Sequence, residues 1–482
     1  MRVTAACLFL AVIIVAFSIF SLNLMGKTVS GLDDNYIDDY IIVPDDYGSI
    51  QEAINNASDG QTIYVRSGVY PERLVINKTL RIIGESREAT IIQGNGGILV
   101  KILSNNVTFS GFWLRDGETA IYFDGVENCQ IIDNKFVNFS RHAIYTGGVA
   151  IYGVNCDNLT ITGNFFTEID YFNILLTSAS NCYIANNTFI STRRMSHAIQ
   201  LIKSHHCVIE WNKIRKSEKP FTFVEGGVGI SSSRNIIVRY NDIRDNDWYG
   251  ISIRNSNETI IVGNNITEQK IRTGLILSRR IVGAIIYCNN FIGNNEDIVF
   301  EGEEEKNVSW NYLGLGNYWD RYEGEDNNYD GIGDTPYTAE GQNDTCPLMG
   351  LYHPFKLPDG SVIDVISNST ITEFNYTSSE RITLKVRGEP ESGGFCLIKI
   401  PGVIQKSLLN VTVNGKTPLK VNVHVNETGN FSLLYILYLH ELNEDRIEII
   451  IPEHSPLLLT SLAVLALPLV LQKRRLIKHL CN

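Results

Sequence analysis

Residues 159–189 read LTITGNFFTEIDYFNILLTSASNCYIANNTF. Two copies of one pattern lie 23 residues apart: an apolar alternating run, then Asn, any residue, and Phe. The same unit recurs as Asn134-Lys-Phe136, Asn164-Phe-Phe166, Asn187-Thr-Phe189 and Asn212-Lys-Ile214. It continues as Asn241-Asp-Ile243, Asn264-Asn-Ile266, Asn289-Asn-Phe291 and Asn311-Tyr-Leu313, with Gly111-Phe-Trp113 in the equivalent place earlier. The spacings are 23, 30, 23, 25, 29, 23, 25 and 22 residues. A repeat of this length built from β-branched and aromatic runs predicts a solenoid. Leucine-rich repeats have a similar period, but their Leu ladder is absent. The expected fold is all-β: a right-handed parallel β-helix over 40–313, three short strands to a rung. Rungs stack at about 4.8 Å, so nine of them predict a rod of roughly 45 Å. The two long spacings are one rung plus a loop, expected near 141–152 and 216–228.

The stacking assigns roles to two residue types. Cys129, Cys182 and Cys207 each stand five residues before their Asn, where other rungs carry Leu159 and Ile236. This is an inward position, so the thiols are expected in the core. Cys346 and Cys396 are the one plausible disulfide pair. The ladder Asn134, Asn164, Asn187, Asn212, Asn241, Asn264, Asn289 and Asn311 is expected to satisfy buried turn groups, not to bind a ligand.

On the N-terminal side, Ser49 and Glu52 form a capping box before Ile50, Ala53, Ile54 and Ala57. That short amphipathic helix is expected to close the rod's first end, where open strand edges would invite aggregation. Residues 314–358 are read as the C-terminal cap, with Trp310, Tyr312, Tyr318 and Trp319 packed into it. After 360 eight short alternating strands follow within about 90 residues, which predicts an immunoglobulin-like sandwich over 361–452.

Residues 1–28 hold a long apolar run after one Arg, an export signal or an uncleaved anchor. Residues 456–472 are apolar and precede Lys473, Arg474, Arg475 and Lys478 in the tail 473–482. That order predicts a membrane segment with a cytoplasmic basic tail, or a sorting signal. The bulk of the chain is then outside the cell. Asn-x-Ser/Thr sequons agree with a glycoprotein, the candidates being Asn77, Asn106, Asn138, Asn158, Asn257, Asn368 and Asn410. The chain has 482 residues and a net charge of -12. An acidic surface repels phosphate backbones, which argues against a nucleic-acid partner.

Several stretches carry candidate chemistry. EDNNYDGIGDTPY (325–337) supplies oxygen ligands in calcium-loop order: Asp326, Asn328, Asp330, the carbonyl of Ile332, and Asp334. Position 12 is Tyr337, so the closing bidentate acid is missing. The stretch is either a structural calcium site or a Gly/Asp turn that caps the rod. Copper would need His, Met or Cys groups, yet no His-x-His pair or Met cluster is present beyond His205 and His206. Residues just after the repeated Asn should align on adjacent rungs. Among these, Tyr171, Arg193, Arg194, Arg244, Asp245, Asp247, Trp248 and Tyr249 mix aromatics with charges, as sugar stacking and hydrogen bonding require. No paired carboxylates of a hydrolase stand out, so no catalytic residue is assigned.

DDYGSIQEAINNASDGQTIYVRSGVYPERLVINKTLRIIGES (45–86) resembles the opening of exported β-helix proteins of the NosD type. GNYWDRYEGEDNNYDGIGDTPY (316–337), with CPLM at 346–349, resembles their β-helix end. The resemblance covers about 40–350. It implies a β-helix, export and a surface role, beside carbohydrate-binding and sugar-hydrolase β-helices. The sandwich and C-terminal segment resemble archaeal cell-surface proteins. The expected function is structural or adhesive, with membrane, glycans or surface-layer components as partners. Alternatives are a polysaccharide-modifying enzyme and, from the family's label, a copper-delivery accessory.

Overall fold

The computed structural model describes residues 40–140, 147–191, 197–216, 226–246, 248–377, 381–425 and 431–451. Among these the chain forms two compact units: Asp39–Asn328 with Ile332–Tyr352, and His353 onward with Tyr329–Gly331. The predicted terminal segments 1–28 and 456–472 lie outside the described residues. Among the described residues no helix is long and apolar enough to cross a membrane.

The first unit is a parallel β-solenoid of the right-handed type, with sheets of 12, 10 and 11 strands. Each rung gives one strand to each sheet. In one rung these are Gln130–Ile132 in the first sheet, Lys135–Phe139 in the third and Val149–Val154 in the second. Inward positions alternate with outward ones, as the period of two requires. Phe136, Phe166 and Phe189 therefore stack at 4.8 Å between ring centroids, nearly parallel. Further along, Phe291 stacks on Trp319 at 4.4 Å. All five rings are buried.

Between the first and third sheets the chain turns in two residues. The first takes a left-handed conformation: Asp133, Gly163, Asn186, Trp211, Tyr240, Gly263 and Cys288 have φ between 54° and 70°. The second is the ladder asparagine. Each Oδ1 accepts the backbone N–H of the asparagine one rung earlier, at 2.9–3.1 Å from Asn134 through Asn289. Each Nδ2 donates to the next Oδ1 and to a carbonyl of the preceding rung, such as Ile184 O for Asn212 at 2.9 Å. Asparagine is suited to this place because one short side chain offers donor and acceptor together.

Asn311 is not in this chain of bonds. Its amide is exposed and donates to Thr345 Oγ1. Asn317 takes the eighth place, and the ladder ends on a carboxylate. Asp344 Oδ2 accepts from Asn317 N–H at 2.7 Å and from Trp319 Nε1 at 2.9 Å, while Oδ1 accepts from Cys346 N–H. Burial pushes the Asp344 carboxyl up, against the pull of these donors.

Other expectations are corrected in detail. The equivalent of the ladder Asn in the earlier rung is Phe112, whose N–H meets Asn134 Oδ1; Gly111 fills the left-handed place before it. The loops expected over 141–152 and 216–228 are shorter, because Val149–Val154 and Gly226–Ser231 are strands. The cap helix α1 (Ile50–Asn56) is present, with Ser49 Oγ accepting Glu52 N–H. Glu72, not Glu52, supplies its anion: its carboxylate accepts from Ile50 and Gln51 N–H at 3.0 and 2.9 Å. A strand, Tyr40–Val43, precedes the helix and opens the first sheet.

The second unit has antiparallel sheets of five and four strands. All eight strands expected after 360 are present, and Leu351–Lys356 adds a ninth. Residues of both sheets, among them Val365, Ile398, Leu384 and Ile447, share one buried cluster, which makes the unit a sandwich.

Removing one ladder amide orphans buried groups on two rungs. Asn212→Ala strips acceptors from Asn187 N–H and Nδ2 and a donor from Ile184 O; a loss of about 3–5 kcal/mol is expected in denaturant unfolding. Asn311→Ala should stay within about 0.5 kcal/mol. Similar losses at both positions would refute the assigned register.

Candidate functional site

In the central rungs, over 103–264, connection length varies at one corner only. From first to third sheet two residues intervene, as 111–112, 133–134 and 163–164 do. From second to first sheet five intervene, as 103–107, 125–129 and 155–159 do. The third-to-second connections differ from rung to rung: 140–148, 170–171, 192–196, 217–225, 245–248 and 268–272. The asparagine ladder fixes the first corner. At the second corner a serine ladder does the same work, Ala179 N–H to Ser204 Oγ, Ser204 N–H to Ser233 Oγ and Ser233 N–H to Ser256 Oγ. The third corner has an amide ladder only over Asn246, Gln269 and Asn294. Longer insertions enter where no ladder must be kept.

At this corner the second sheet places Phe172, His197, Gly226, Tyr249 and Thr273 in one register column. Phe172 stacks on His197 with centroids 5.1 Å apart, and Tyr171 lies against Phe172 at 4.3 Å. Tyr249 reaches back two rungs, its hydroxyl 3.1 Å from His197 Nδ1. Gly226 makes that reach possible: a Cβ there would lie 2.4 Å from the Tyr249 ring. The result is an aromatic surface four rungs long.

Of the predicted ligand-binding residues, the structure joins Tyr171 and Tyr249 in this surface. Trp248 stands near, with the Arg272 guanidinium 4.3 Å over its ring. Arg244 is ion-paired with Asp242 at 2.6 Å, and Asp245 with Lys270 at 3.2 Å. Arg193, Arg194 and Asp247 lie outside the described residues. Phe172 and Gly226 were not singled out in the sequence. Their signal was the column itself, since a glycine beside three aromatic rungs marks room for a neighbour's ring.

Among the described residues no three of His, Cys, Asp and Glu come together as a metal-holding group. In the Asp/Gly stretch, Asp334 Oδ2 accepts from Asn327 N–H at 2.7 Å and from Asn327 Nδ2 at 3.1 Å. His205 and His206 are exposed on the second-to-first corner, and His206 Nε2 lies 3.1 Å from Asn235 Nδ2. Cys346 and Cys396 are free thiols, not a disulfide. Of the sequon asparagines, Asn77, Asn106, Asn368 and Asn410 are exposed. Asn138 donates to Asp116, Asn158 to Asn128 and Asn368 to Gly393 O, while Asn257 is half-buried.

The NosD family model, described as periplasmic copper-binding protein, matches residues 138–324. Over that span the solenoid is similar to NosD-type β-helices. That span contains the whole aromatic corner. A cell surface glycoprotein of Methanothermus fervidus is 35% identical over 107 residues, 21% of this chain and 18% of that protein. The match thus covers less than a fifth of that relative. Among solved structures, the Dettilon tailspike protein is 12% identical with a TM-score of 0.42, over 86% of this chain and 94% of that one. The mannuronan C-5 epimerase AlgE6 A-module of Azotobacter vinelandii is 12% identical with a TM-score of 0.35, over 54% and 85%.

Outside the solenoid, the sandwich holds a second cluster of reactive groups. Ser369 Oγ lies 2.9 Å from His440 Nε2, and His440 Nδ1 lies 2.7 Å from Asp445 Oδ2. This is the bonding order of a hydrolase triad. Its surroundings give it another role: the three residues are 3%, 2% and 0% exposed, and the Tyr438 hydroxyl also donates to Ser369 Oγ. Ser369 and His440 follow strands of the five-stranded sheet, and Asp445 opens a strand of the other. The relay ties the two sheets at one end.

Two measurements follow from these geometries. Gly226→Ala should displace the Tyr249 ring and break its contact with His197, costing about 1–3 kcal/mol; an unmoved ring in the variant's structure would contradict the packing. Burial alone would push the Asp445 carboxyl up, but donors from Asn414, His440, Glu441 N–H and Leu442 N–H hold it below the usual range. Its stabilisation is therefore complete above the ordinary carboxylate value, about 3.9, and is lost as pH falls through the depressed one. Asp445→Asn should cost about 2–4 kcal/mol at pH 7 and flatten the acid end of a thermal-melt series.

Proposed function

We propose that this is an exported cell-surface protein whose solenoid binds carbohydrate at the third-to-second corner. One observation carries the reading: the corner where connections vary in length is also the one lined by Tyr171, Phe172, His197 and Tyr249. Aromatic faces bind the apolar faces of sugar rings, and neighbouring polar groups take the hydroxyls. Among the described residues, Arg244 is paired with Asp242 and Lys270 with Asp245, so stacking and hydrogen bonds there fit a neutral glycan better than ion pairing fits an acidic one. The relative named as a cell surface glycoprotein supports the location. In the same reading the second unit is an immunoglobulin-like module, the terminal apolar segments hold the chain at the membrane, and the role is structural or adhesive. Calcium at the Asp/Gly stretch would serve as a structural ion.

The family description favours a second reading, copper delivery. Elemental analysis of the dialysed full chain separates the two. Stoichiometric copper, lost on substitution of His205 and His206, would replace the glycan reading. The glycan reading expects binding to a panel of neutral polysaccharides, weakened roughly tenfold or more by Tyr249→Ala. Release of sugar products would make the protein an enzyme, and no binding to any glycan would remove the proposal.

A further inference from the structure

Cysteine usage in the solenoid core contains one pair unlike the rest. Cys129, Cys156, Cys182 and Cys207 are all buried in the second-to-first corner. Two of them have no cysteine beside them on the neighbouring rung: Leu159 follows Cys129 in its column, and Val126 and Ala179 flank Cys156. Cys182 and Cys207 are neighbours in one column. Tyr183 pairs with Val208 in register, and Val208 N–H donates to Cys182 O at 2.9 Å. Both side chains point inward and are 1% and 0% exposed. Neighbouring strands stand about 4.8 Å apart, within the Cα separation that a disulfide spans.

We propose that Cys182 and Cys207 are a disulfide-forming pair that staples two adjacent rungs. The step is a two-electron oxidation. Both S–H bonds are lost, one S–S bond forms, and two protons leave. The electrons pass to a small-molecule disulfide, which departs as two thiols after exchange through a mixed disulfide. The oxidant is what an extracellular setting provides, so this point alone rests on the location proposed above.

The consequence is topological. Between the two cysteines lie Tyr183–Ala185, Thr188–Ser191 and His197–Ile202, one strand of each sheet. The bond would close one full turn of the solenoid into a covalent ring. That ring contains His197, the middle of the aromatic column. The staple therefore holds the site-bearing rung against peeling from its neighbour.

The test is thiol mapping of the full chain in two arms: as purified without reductant, and after glutathione disulfide is added near the unfolding midpoint. Each sample is denatured, alkylated with N-ethylmaleimide and digested. The proposal expects a linked peptide joining Cys182 to Cys207, released by dithiothreitol, with the other cysteines alkylated. A Cys182→Ser variant should leave Cys207 alkylated. A link formed only in the glutathione arm supports the pairing and counts against the extracellular setting. Full alkylation of both residues in both arms overturns the proposal, as does a link from either residue to another cysteine.

Discussion

Stacking parallel rungs leaves a fixed problem at every turn: backbone N–H and C=O groups point into a space that water cannot reach. The asparagine ladder solves it. From Asn134 to Asn317 each amide accepts from the rung before it and donates both to that rung and to the acceptor that follows, so no rung's turn is satisfied by its own atoms alone. The core stacks depend on this. Phe136, Phe166 and Phe189 meet face to face because the ladder holds their strands in register.

The ladder has a direction. In the side-chain-to-side-chain bonds every Nδ2 donates toward the C-terminus, and the last acceptor is the Asp344 carboxylate. Neutral amides aligned head to tail present their donor end to an anion, as a helix presents its N–H groups. The rod's two closures therefore differ in kind. An apolar helix face, Ile50, Ala53 and Ile54, covers the first end. A buried acid with Trp319 and Cys346 N–H closes the ladder at the other.

The period of the sequence disclosed the rods, columns and cap helix because identical rungs must repeat identical chemistry. It failed where a repeat is imitated. Asn311 has the motif's spelling but lies one residue short in spacing, while Asn317-Tyr-Trp319 repeats the motif 28 residues after Asn289 and carries the ladder. Glu72 was invisible as a helix cap because its partners lie 21 and 22 residues away. At the aromatic corner Tyr171 and Tyr249 were readable as surface aromatics. Their convergence was not, since it depends on an absent side chain at Gly226 and on a register two rungs long. The buried relay of Ser369, His440 and Asp445 likewise joins residues 71 apart that no local pattern connects.

In the central rungs the constant two- and five-residue corners and the variable third one give the molecule two separate routes of inheritance. Duplicating a whole rung copies one ladder amide with its left-handed neighbour, so the new turn arrives already satisfied, and length can change without inventing chemistry. Insertions at the third corner change what the surface presents while the ladders and stacks go on unaltered. Lineages that carry this architecture can thus vary reach and recognition independently, each under its own selection.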